Sequence, residues 1–357
     1  MNSPQDAVAP TTTAPAPTRA TEIVLPGVVE PSGLQVRVRD LPAPGRGEVM
    51  VEVEASGVSF AERSMRRGRY PGQPAFPFVP GYDLVGRVTA VGPDADAALI
   101  GTRVAAMTKT GGWASHVLLP AADLVPVRAD LDPAEAETVV VNGVTAWQML
   151  HRSARVQRGQ TVLVHGASGG VGTVLVQLAV HAGVRVIATA GPRHHEALRA
   201  LGAEPLDYDT PDLEAAVRRL APGGVDAAFD HLGGESLTRS WRLLAPRGTL
   251  VSYAIAAKID APGSLWIPFL AALARVLVWQ VLPNGKRASF YDLWSGHRLR
   301  PGAFRARTRQ DMTAVLDLLA AGVVTAQIGA RLPLTSAAEA MELAESHTVR
   351  GKIVLVP

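Results

Sequence analysis

Val162-Leu-Val-His-Gly-Ala-Ser-Gly-Gly-Val-Gly172 is a short β-branched run, a glycine turn and the start of an apolar helical pattern. The spacing G-x-G-x-x-G occurs here with Ala167 in its first position, followed by Gly169 and Gly172. In such turns the second position lets the backbone approach a pyrophosphate, and the third allows close packing of helix on strand. Because a strand and a helix flank the turn, the stretch predicts a dinucleotide site at a helix N-terminus.

Short strands and helices alternate on either side of this stretch. The patterns predict strands over 184–189, 225–230 and 248–253, and helices over 171–182, 194–201 and 236–244. Such alternation is typical of βαβ units in a doubly wound parallel sheet, the Rossmann arrangement. Residues 21–140 differ, because period-two alternation and Gly/Pro turns predict a partly open β-barrel. A helix over 309–321 and a strand over 352–356 complete the predicted α/β chain.

Composition narrows the class of protein. A length of 357 residues suggests two domains, and 47% hydrophobic with 19% charged residues is globular composition. The formal charge of +3 comes without a basic block, so no nucleic acid is expected as a partner. Cysteine is absent, which excludes disulfides, thiolate nucleophiles and every zinc site built on cysteine. The nine histidines lack metal-ligand spacing, so no metal is predicted.

Three segments bear on targeting and membranes. Residues 1–20 are rich in Pro, Thr and Ala and lack the apolar run of a signal peptide, which predicts a disordered extension and a cytoplasmic protein. A processed leader is the alternative for these residues. The apolar stretches 161–184 and 261–285 are each long enough to span a bilayer. Glycines interrupt the first and Pro268 interrupts the second, so neither is expected to cross a membrane. For the second, an amphipathic helix that touches a membrane or another subunit remains an alternative.

The end of the second predicted Rossmann strand indicates which dinucleotide binds. A site for NAD usually has Asp or Glu there, to bind the ribose 2′-hydroxyl. Residues 188–195 hold no acid, and Glu196 is the first one. Arg193 and His194, after Thr189, are placed to bind a 2′-phosphate, so NADPH is the expected cofactor. The alternative is that Arg193 and His194 form a solvated helix start.

Several motifs together resemble the zinc-independent, quinone-oxidoreductase-like branch of the medium-chain dehydrogenase/reductases. Apart from the glycine turn, they are Gly57-Val-Ser-Phe-Ala-Glu62, Gly68-Arg-Tyr-Pro71, Pro80-Gly-Tyr-Asp-Leu-Val-Gly86, Gly143-Val-Thr-Ala-Trp147 and Gly351-Lys352-Ile-Val. The corresponding family patterns are G-[VL]-N-x-x-D, G-x-Y-P, P-G-x-[DE]-x-x-G, G-x-T-A-[YW] and a terminal Gly-Lys. The resemblance covers residues 21–357 apart from 255–308.

This resemblance implies a domain division and a reaction. A GroES-like catalytic domain would comprise 21–140 and 310–357, and a Rossmann NADP(H) domain 141–309, with the active site between them. The resemblance also implies NADPH-dependent reduction of a quinone or an activated alkene, and frequent homodimers. Zinc relatives carry a catalytic His in Gly-His-Glu, where this chain has Gly81-Tyr82-Asp83. That departure and the missing cysteines predict hydride transfer without a metal ion.

Three residues are the catalytic candidates. Tyr70 matches the Tyr of G-x-Y-P, which faces the substrate cleft in relatives, and a phenol can donate a hydrogen bond to a developing oxyanion. Ser59 stands where relatives usually have Asn, and its shorter hydroxyl could still bond a substrate. Asn142 precedes the G-x-T-A motif and is expected either at the nicotinamide or substrate, or as a helix cap. Glu62, in place of the family's Asp, is interpreted as exposed or structural, and Tyr82 as structural.

The cofactor candidates follow the glycine turn and the strand ends. By resemblance, Tyr208 would lie near the adenosine phosphate and Lys352 would reach the phosphate side of the cofactor. The predicted cofactor-binding residues are Thr145, Ala167, Ser168, Gly169, Gly170, Val171, Gly172, Thr189, Arg193, His194, Tyr208, His231, Ser252, Tyr253 and Lys352.

Residues 255–308 are long for this family's connection and concentrate aromatic residues. An apolar insertion of this kind predicts a lid or a dimer surface, and a lid would favour a bulky, polyketide-like substrate. The leading interpretation is an NADPH-dependent reductase of quinones or α,β-unsaturated carbonyls, acting on an apolar small molecule. The first alternative is an enoyl reductase or tailoring enzyme for one biosynthetic intermediate. The second is a cofactor-binding, membrane-associated scaffold of the vesicle-protein type.

Overall fold

The computed structural model describes residues 17–254, 266–346 and 348–357. The strands in these ranges are β1 (Thr18–Val24), β2 (Gln35–Leu41), β3 (Glu48–Val58), β4 (Asp83–Val91), β5 (Arg103–Met107), β6 (His116–Pro120), β7 (Val125–Pro126), β8 (Thr161–His165), β9 (Arg185–Ala190), β10 (Glu204–Asp207), β11 (Val225–Asp230), β12 (Leu244–Ser252), β13 (Arg287–Phe290), β14 (Ile328–Pro333) and β15 (Lys352–Val356). The helices are α1 (Phe60–Arg66), α2 (Pro133–Thr138), α3 (Val141–Trp147), α4 (Gly170–His181), α5 (His195–Ala200), α6 (Leu213–Leu220), α7 (Gly234–Leu243), α8 (Trp266–Val281), α9 (Pro301–Ala320) and α10 (Ala337–Glu345).

Six parallel strands form one sheet in the order β10-β9-β8-β11-β12-β13. Adding strands outward on both sides of β8 gives the order of doubly wound dinucleotide-binding sheets. Successive residues of β8 face opposite sides, since Val162 and Val164 pack with α4 and α9, whereas Leu163 packs with α6, α7 and α8. Both faces are therefore apolar and covered by helices, as the predicted βαβ pattern requires.

A seven-stranded sheet, called here the catalytic sheet, forms the other half of the molecule. Its order is β14-β15-β3-β4-β5-β7, with β6 paired to β3. The last strand, β15, runs antiparallel to β3, so both ends of the chain contribute to one sheet. The predicted fold class, a β-rich catalytic part joined to a Rossmann sheet, is confirmed.

The interpretation of 255–308 as an insertion into the fold is wrong for the part that the structure describes. Within this segment β13 pairs with β12 as the sixth parallel strand. Trp279 of α8 stacks on Trp241 of α7 with ring centroids 4.8 Å apart, which places α8 in the helical layer over the sheet. The segment is long because it contains helix α8 and strand β13, which together with β12 form a β-α-β unit. Strand β13 has only four residues and therefore carries little sequence signal. Residues 255–265 lie outside the described ranges.

Two predicted boundaries also change. Helix α9 runs without a break over Pro301–Ala320, so it begins before the predicted residue 309 and crosses the predicted domain boundary at 309/310. Strand β1 begins at Thr18, so residues 18–20 do not belong to the predicted disordered extension. Residues 1–16 lie outside the described ranges.

Strand β10 and helix α6 are elements that the sequence patterns did not predict.

Both apolar stretches that could imitate membrane spans contribute elements to the Rossmann half. Residues 161–184 contain β8, the glycine turn and α4, and residues 266–281 form α8. Across the described ranges, no helix combines the length and the apolar character that crossing a bilayer requires.

A buried charge cluster connects strands β15 and β4, which both pair with β3 in the catalytic sheet, with helix α2. Lys352 Nζ on β15 donates to Asp83 Oδ2 on β4 at 2.7 Å and to Glu137 Oε1 on α2 at 2.6 Å. The three side chains are at most 3% exposed. Asp83 Oδ2 also accepts a hydrogen bond from the backbone N–H of Val141 at 3.0 Å. The cluster therefore fixes the start of α3 against the catalytic sheet.

We expect Trp279→Ala to lower the free energy of unfolding by about 3–5 kcal/mol, because it removes a ring buried against Trp241. The matched control is Val281→Ala on the same helix, where the side chain is 79% exposed. Its effect should stay within about 0.5 kcal/mol. Denaturant titration followed by circular dichroism measures both variants. Equal losses would contradict the packing of α8 on the sheet.

We expect Lys352→Met to destabilise the fold by about 3–5 kcal/mol at neutral pH, because two buried carboxylates lose their shared cation. Burial and the nearby Asp83 already raise the pKa of Glu137, and removal of Lys352 raises it further. The folded variant then retains a proton that the unfolded chain releases, so its stability relative to wild type falls as pH rises above about 4.5.

Unfolding titrations of wild type and Lys352→Met from acidic to neutral pH measure this dependence. Glu137→Gln is the control, since it leaves Lys352 paired with one carboxylate, Asp83, and should cost less. A loss that is the same at every pH, or a larger loss for Glu137→Gln, would contradict the assignment.

Candidate active site

A cleft of about 1660 Å³ lies between the catalytic sheet and the carboxyl ends of the parallel strands. One wall is α1 with the loop that follows it, and the other comprises the turns after β8, β9, β11 and β12. Pockets for single small ligands usually measure about 300–1,000 Å³, so this cleft has room for a dinucleotide and a substrate together. The carboxyl ends of doubly wound strands are also where such ligands bind.

The glycine turn after β8 lines the middle of the cleft. Gly166 has φ of +62°, and a Cβ on Gly172 would lie 2.3 Å from the Gly166 carbonyl oxygen, so side chains are excluded at both positions. Gly169 is the N-cap residue of α4, and no side chain caps this helix. The N–H groups and the positive dipole end of α4 are therefore suited to a phosphate anion.

Five of the six residues predicted for this turn line the cleft, namely Ser168, Gly169, Gly170, Val171 and Gly172. Ala167 does not, because it is fully buried in the core and its N–H donates to the Thr189 carbonyl at 3.1 Å. The predicted cofactor contact of Ala167 is thus corrected. Ala167 instead belongs to the apolar core beneath the turn.

Asn142 and Thr145 on α3 approach the same turn from the opposite side. A Cβ on Gly170 would lie 2.5 Å from Asn142 Nδ2. Both polar side chains are buried yet line the cleft, with Asn142 7% and Thr145 6% exposed. Asn142 lies inside the helix Val141–Trp147, so the alternative that it caps the helix is wrong.

Arg193, His194 and Tyr208 lie together where β9 ends. Arg193 is exposed, and its Nε lies 3.1 Å from His194 Nε2. The Tyr208 ring packs beside Gly191, at 3.5 Å from the place where a Cβ would stand. Partial burial and the positive charges of Arg193 and Arg350 lower the pKa of His194. The electrostatics of this end of the cleft therefore favour an added negative charge.

The loop after β11 is held by Asp230 and presents His231 to the cleft. Asp230 accepts hydrogen bonds from two backbone N–H groups at 2.9 Å and from two serine hydroxyls at 2.8 Å. His231 covers the glycine turn, since a Cβ on Gly166 would lie 2.3 Å from its ring. Burial lowers the pKa of His231 to about 4, and within the described ranges its Nδ1 has no hydrogen-bond partner. In a neutral imidazole that donates to the His165 backbone, Nδ1 is an acceptor, which fits a ribose hydroxyl of a bound dinucleotide.

Three residues at strand ends are predicted to contact the cofactor, and the structure places only two of them on the cleft wall. Tyr253 lines the cleft, with its ring centroid 5.8 Å from that of His231. Thr189 also lines the cleft, although its hydroxyl bonds His165 Nδ1 at 3.0 Å. Ser252 is fully buried and absent from the cleft wall, which corrects its predicted cofactor contact. Ser252 is the last residue of β12, whereas Tyr253 follows the strand and reaches the cleft wall.

Tyr70 is positioned in a hydrogen-bonded aromatic group. Its hydroxyl bonds the hydroxyl of Tyr82, and the Trp294 Nε1–H donates to the Tyr82 oxygen. Burial raises the pKa of Tyr70 to about 12, with the charges of Asp292 and Glu62 adding to the rise. Burial also raises the pKa of Tyr82 well above its usual value. Both phenols are protonated at neutral pH and can donate hydrogen bonds.

Ser59 lines the cleft, but its hydroxyl has a local partner. Ser59 Oγ donates to Glu62 Oε2 at 2.5 Å and accepts from the N–H of Ala61 at 3.1 Å. The backbone N–H of Ser59 also donates to Glu62 Oε2 at 2.8 Å, and Ser59 and Glu62 together form the capping box of α1. Glu62 is 1% exposed, and its burial raises its pKa. The exposed alternative for Glu62 is therefore wrong, and the structural alternative fits. Contact between Ser59 and substrate stays a prediction.

Lys352 differs from its prediction. Its ammonium group donates to the buried carboxylates of Asp83 and Glu137 instead of extending toward a phosphate site. Burial acts to lower the pKa of Lys352, but the two carboxylates outweigh it and raise that pKa. The predicted phosphate contact is therefore wrong, and Lys352 has a structural role, because its ammonium group is already bonded to two buried carboxylates.

Sequence reasoning did not include several side chains that the structure brings to this site. The sequence predicts a structural role for Tyr82 and places Tyr291 and Trp294 in an insertion. Tyr291 Oη donates to Gln148 Oε1 at 3.0 Å beside α3, and both tyrosines and Trp294 line the cleft. The concentration of aromatics near residue 290 was the available signal. In the part of the chain that the structure describes, no group of three or more potential metal ligands occurs.

Two family models match the chain. An alcohol dehydrogenase GroES-like domain matches residues 45–129, in the catalytic half, and a zinc-binding dehydrogenase model matches residues 201–355. Among relatives, the human synaptic vesicle membrane protein VAT-1 homolog is 32% identical over 336 residues, covering 91% of this chain and 82% of that protein. A phthioceranic/hydroxyphthioceranic acid synthase of Mycobacterium tuberculosis is 33% identical over 316 residues, covering 87% of this chain and 14% of the synthase.

Solved structures share the whole fold. A mycobacterial protein complexed with NADPH has a TM-score of 0.80 and 30% identity, with 95% of this chain and 100% of that chain covered. A quinone oxidoreductase from Pseudomonas syringae has a TM-score of 0.81 and 26% identity, with the same coverage of 95% and 100%. The similarity in sequence and structure extends over both sheets and the cleft between them. This chain therefore belongs to the quinone-oxidoreductase-like branch of the medium-chain dehydrogenase/reductases.

Proposed function

We propose that this protein is an NADPH-dependent reductase that adds a hydride to a quinone or an α,β-unsaturated carbonyl compound without a metal ion. The observation that carries the proposal is the uncapped glycine turn, which opens into the same cleft as the protonated Tyr70. One part of the cleft suits phosphates and another suits a carbonyl oxygen. The NADPH in the mycobacterial relative supports the choice of cofactor.

The residues of the cleft fit such a cofactor. The backbone N–H groups at the start of α4 would hold the pyrophosphate, and Arg193 with His194 would hold the 2′-phosphate. His231 Nδ1 would accept a hydrogen bond from a ribose hydroxyl. In the described ranges Asp292 is the one carboxylate on the cleft wall, whereas the cationic side chains there, besides Lys352, are Arg63, Arg67, Arg69, Lys109, Arg193, Arg239 and Arg298. This excess of positive charge attracts a ligand with several phosphate charges.

The protein itself positions the cofactor and the substrate, excludes water from the cleft and stabilises the negative charge that forms on the substrate oxygen. NADPH, when bound, supplies the hydride for the electrophilic carbon of the substrate. Asn142 and Thr145 would hold the reacting groups close together, and Phe269, Phe290 and Trp294 would keep water away. Negative charge then develops on the substrate oxygen, where Tyr70 donates a hydrogen bond. A proton from Tyr70 or from water completes the quinol or enol.

The side chains at the positions where zinc relatives bind their metal ion support chemistry without a metal. The chain has no cysteine. Tyr82 replaces the histidine of zinc relatives, and its oxygen is engaged with Tyr70 and Trp294. The carboxylate of Asp83 is paired with Lys352. These groups satisfy one another, whereas a catalytic zinc site needs three protein ligands converging on an open position.

Enoyl reduction is a second candidate, favoured by one observation. The chain matches a segment of the phthioceranic/hydroxyphthioceranic acid synthase over most of its own length. A substrate carried as an enoyl thioester has the same electrophilic carbon and the same developing oxyanion, so Tyr70 could serve it equally. The two candidates differ in the group attached to the carbonyl.

The test is NADPH oxidation by the purified chain against a panel of quinones, enones and enoyl thioesters. We expect turnover with at least one class, and kcat/KM with NADPH at least about tenfold higher than with NADH, a difference of about 1.4 kcal/mol in transition-state binding. Turnover of thioesters alone would favour the second candidate. No oxidation with any class, or equal use of NADH, would contradict the proposal.

We expect Arg193→Ala to raise KM for NADPH about 10- to 100-fold, the cost of one charge-assisted hydrogen bond. KM for NADH should change little, because NADH lacks the 2′-phosphate. The control is Arg199→Ala, an exposed arginine on α5 away from the cleft wall. Equal weakening of both cofactors by Arg193→Ala would show that Arg193 does not bind the 2′-phosphate.

A further inference from the structure

Three aromatic side chains from both halves of the molecule meet at the cleft. Tyr70 and Tyr82 come from the catalytic half, and Trp294 follows β13 of the parallel sheet. The two tyrosine rings lie edge to face at 5.8 Å, and Tyr82 and Trp294 lie edge to face at 5.7 Å. The indole ring is held by stacking on Phe304 at 5.7 Å. This arrangement brings the two hydroxyls and the indole N–H into one hydrogen-bonded chain.

The direction of this chain follows from the chemistry of its members. An indole N–H can only donate, so the Tyr82 oxygen is the acceptor of that bond. Tyr82 then has one proton to donate, and the Tyr70 hydroxyl is its acceptor. The reverse order would leave the Tyr82 proton without an acceptor among the described residues, at a side chain 4% exposed, which is costly. The Tyr70 proton therefore faces away from Tyr82, and Tyr70 lines the cleft.

We propose that Trp294 and Tyr82 are positioning residues that turn the hydroxyl proton of Tyr70 toward the oxyanion that forms on the substrate. The inference rests on the proposed reductase function, in which Tyr70 bonds the substrate oxygen. By accepting a bond from Tyr82, Tyr70 also becomes a stronger donor, since hydrogen bonds in a chain polarise one another. Trp294 follows β13 of the parallel sheet, whereas Tyr82 belongs to the catalytic half, so orientation of the donor depends on residues from both halves of the molecule.

The charges around the phenols are consistent with this role. Burial raises the pKa of Tyr70, and Asp292 and Glu62 raise it further, whereas the bond from Tyr82 lowers it. Burial, Tyr70 and Glu62 all raise the pKa of Tyr82, and the Trp294 N–H opposes them. Tyr70 thus stays protonated at neutral pH and carries the proton that the oxyanion requires.

The test uses 4-nitrophenolate as a stable oxyanion and measures its affinity for the full chain saturated with NADP⁺, by the change in its absorbance. Tyr70→Phe should weaken binding about 10-fold or more, the cost of one hydrogen bond to a charged group. Tyr82→Phe and Trp294→Phe should each weaken it several-fold. In a Tyr70→Phe background, Trp294→Phe should have no further effect, because it acts through Tyr70.

Trp113→Phe is the matched control. It removes an indole N–H that donates to the Gly57 carbonyl at 2.9 Å in the buried catalytic half, away from the cleft wall. It should lower stability and leave phenolate affinity unchanged. Circular dichroism of each variant identifies any that fails to fold. If Trp294→Phe does not fold, Tyr82→Phe replaces it in the double-mutant cycle with Tyr70→Phe.

Two results would overturn the proposal. One is the same loss of affinity from Trp294→Phe in both backgrounds, which would indicate a purely structural role. The other is unchanged binding in Tyr70→Phe, which would mean that Tyr70 does not face the oxyanion. Failure of the reductase function is distinguishable, because the phenolate cycle would then hold while NADPH is not oxidised by any substrate in the panel.

Discussion

The close approach of backbone atoms at the glycine turn is the constraint on which the rest of the structure depends. A Cβ at Gly172 would lie 2.3 Å from the Gly166 carbonyl oxygen, and a Cβ at Gly170 would lie 2.5 Å from Asn142 Nδ2. The first contact lets α4 begin directly at the end of β8, with its amide groups uncapped. The second brings α3 close to the start of α4, so that Asn142 lies beside the glycine turn on the cleft wall.

The buried cluster of Lys352, Asp83 and Glu137 supports the contact between α3 and the glycine turn from the catalytic half. Lys352 holds Asp83 and Glu137, and Asp83 accepts the N–H of Val141 at the start of α3. Asn142 is the next residue, so the cluster and the glycine turn hold the same helix from two sides. Losing one partner of a buried ionic cluster leaves an uncompensated charge. A pair of buried carboxylates outside the glycine turn thus helps to hold Asn142 at the cleft wall.

Local features were predictable from the sequence, and partnerships between distant residues were not. The turn at 162–172 and the flanking β8 and α4 follow from glycine spacing and from a change in apolar periodicity. Strand β13 was missed because four residues carry too little pattern, and α8 was consequently assigned to an insertion. Lys352 was expected at a phosphate, but its partner Asp83 lies 269 residues away in the chain, which no local pattern reveals. The homodimer and the substrate stay predictions.

A crystal structure of the chain with NADPH tests the central claim most directly. We expect the pyrophosphate against the backbone N–H groups at the start of α4, and the 2′-phosphate beside Arg193 and His194. The nicotinamide should lie between Asn142 and Tyr70, with space for a substrate against Trp294. A cofactor bound with its pyrophosphate away from the glycine turn, or with its nicotinamide remote from Tyr70, would contradict this assignment of the cleft.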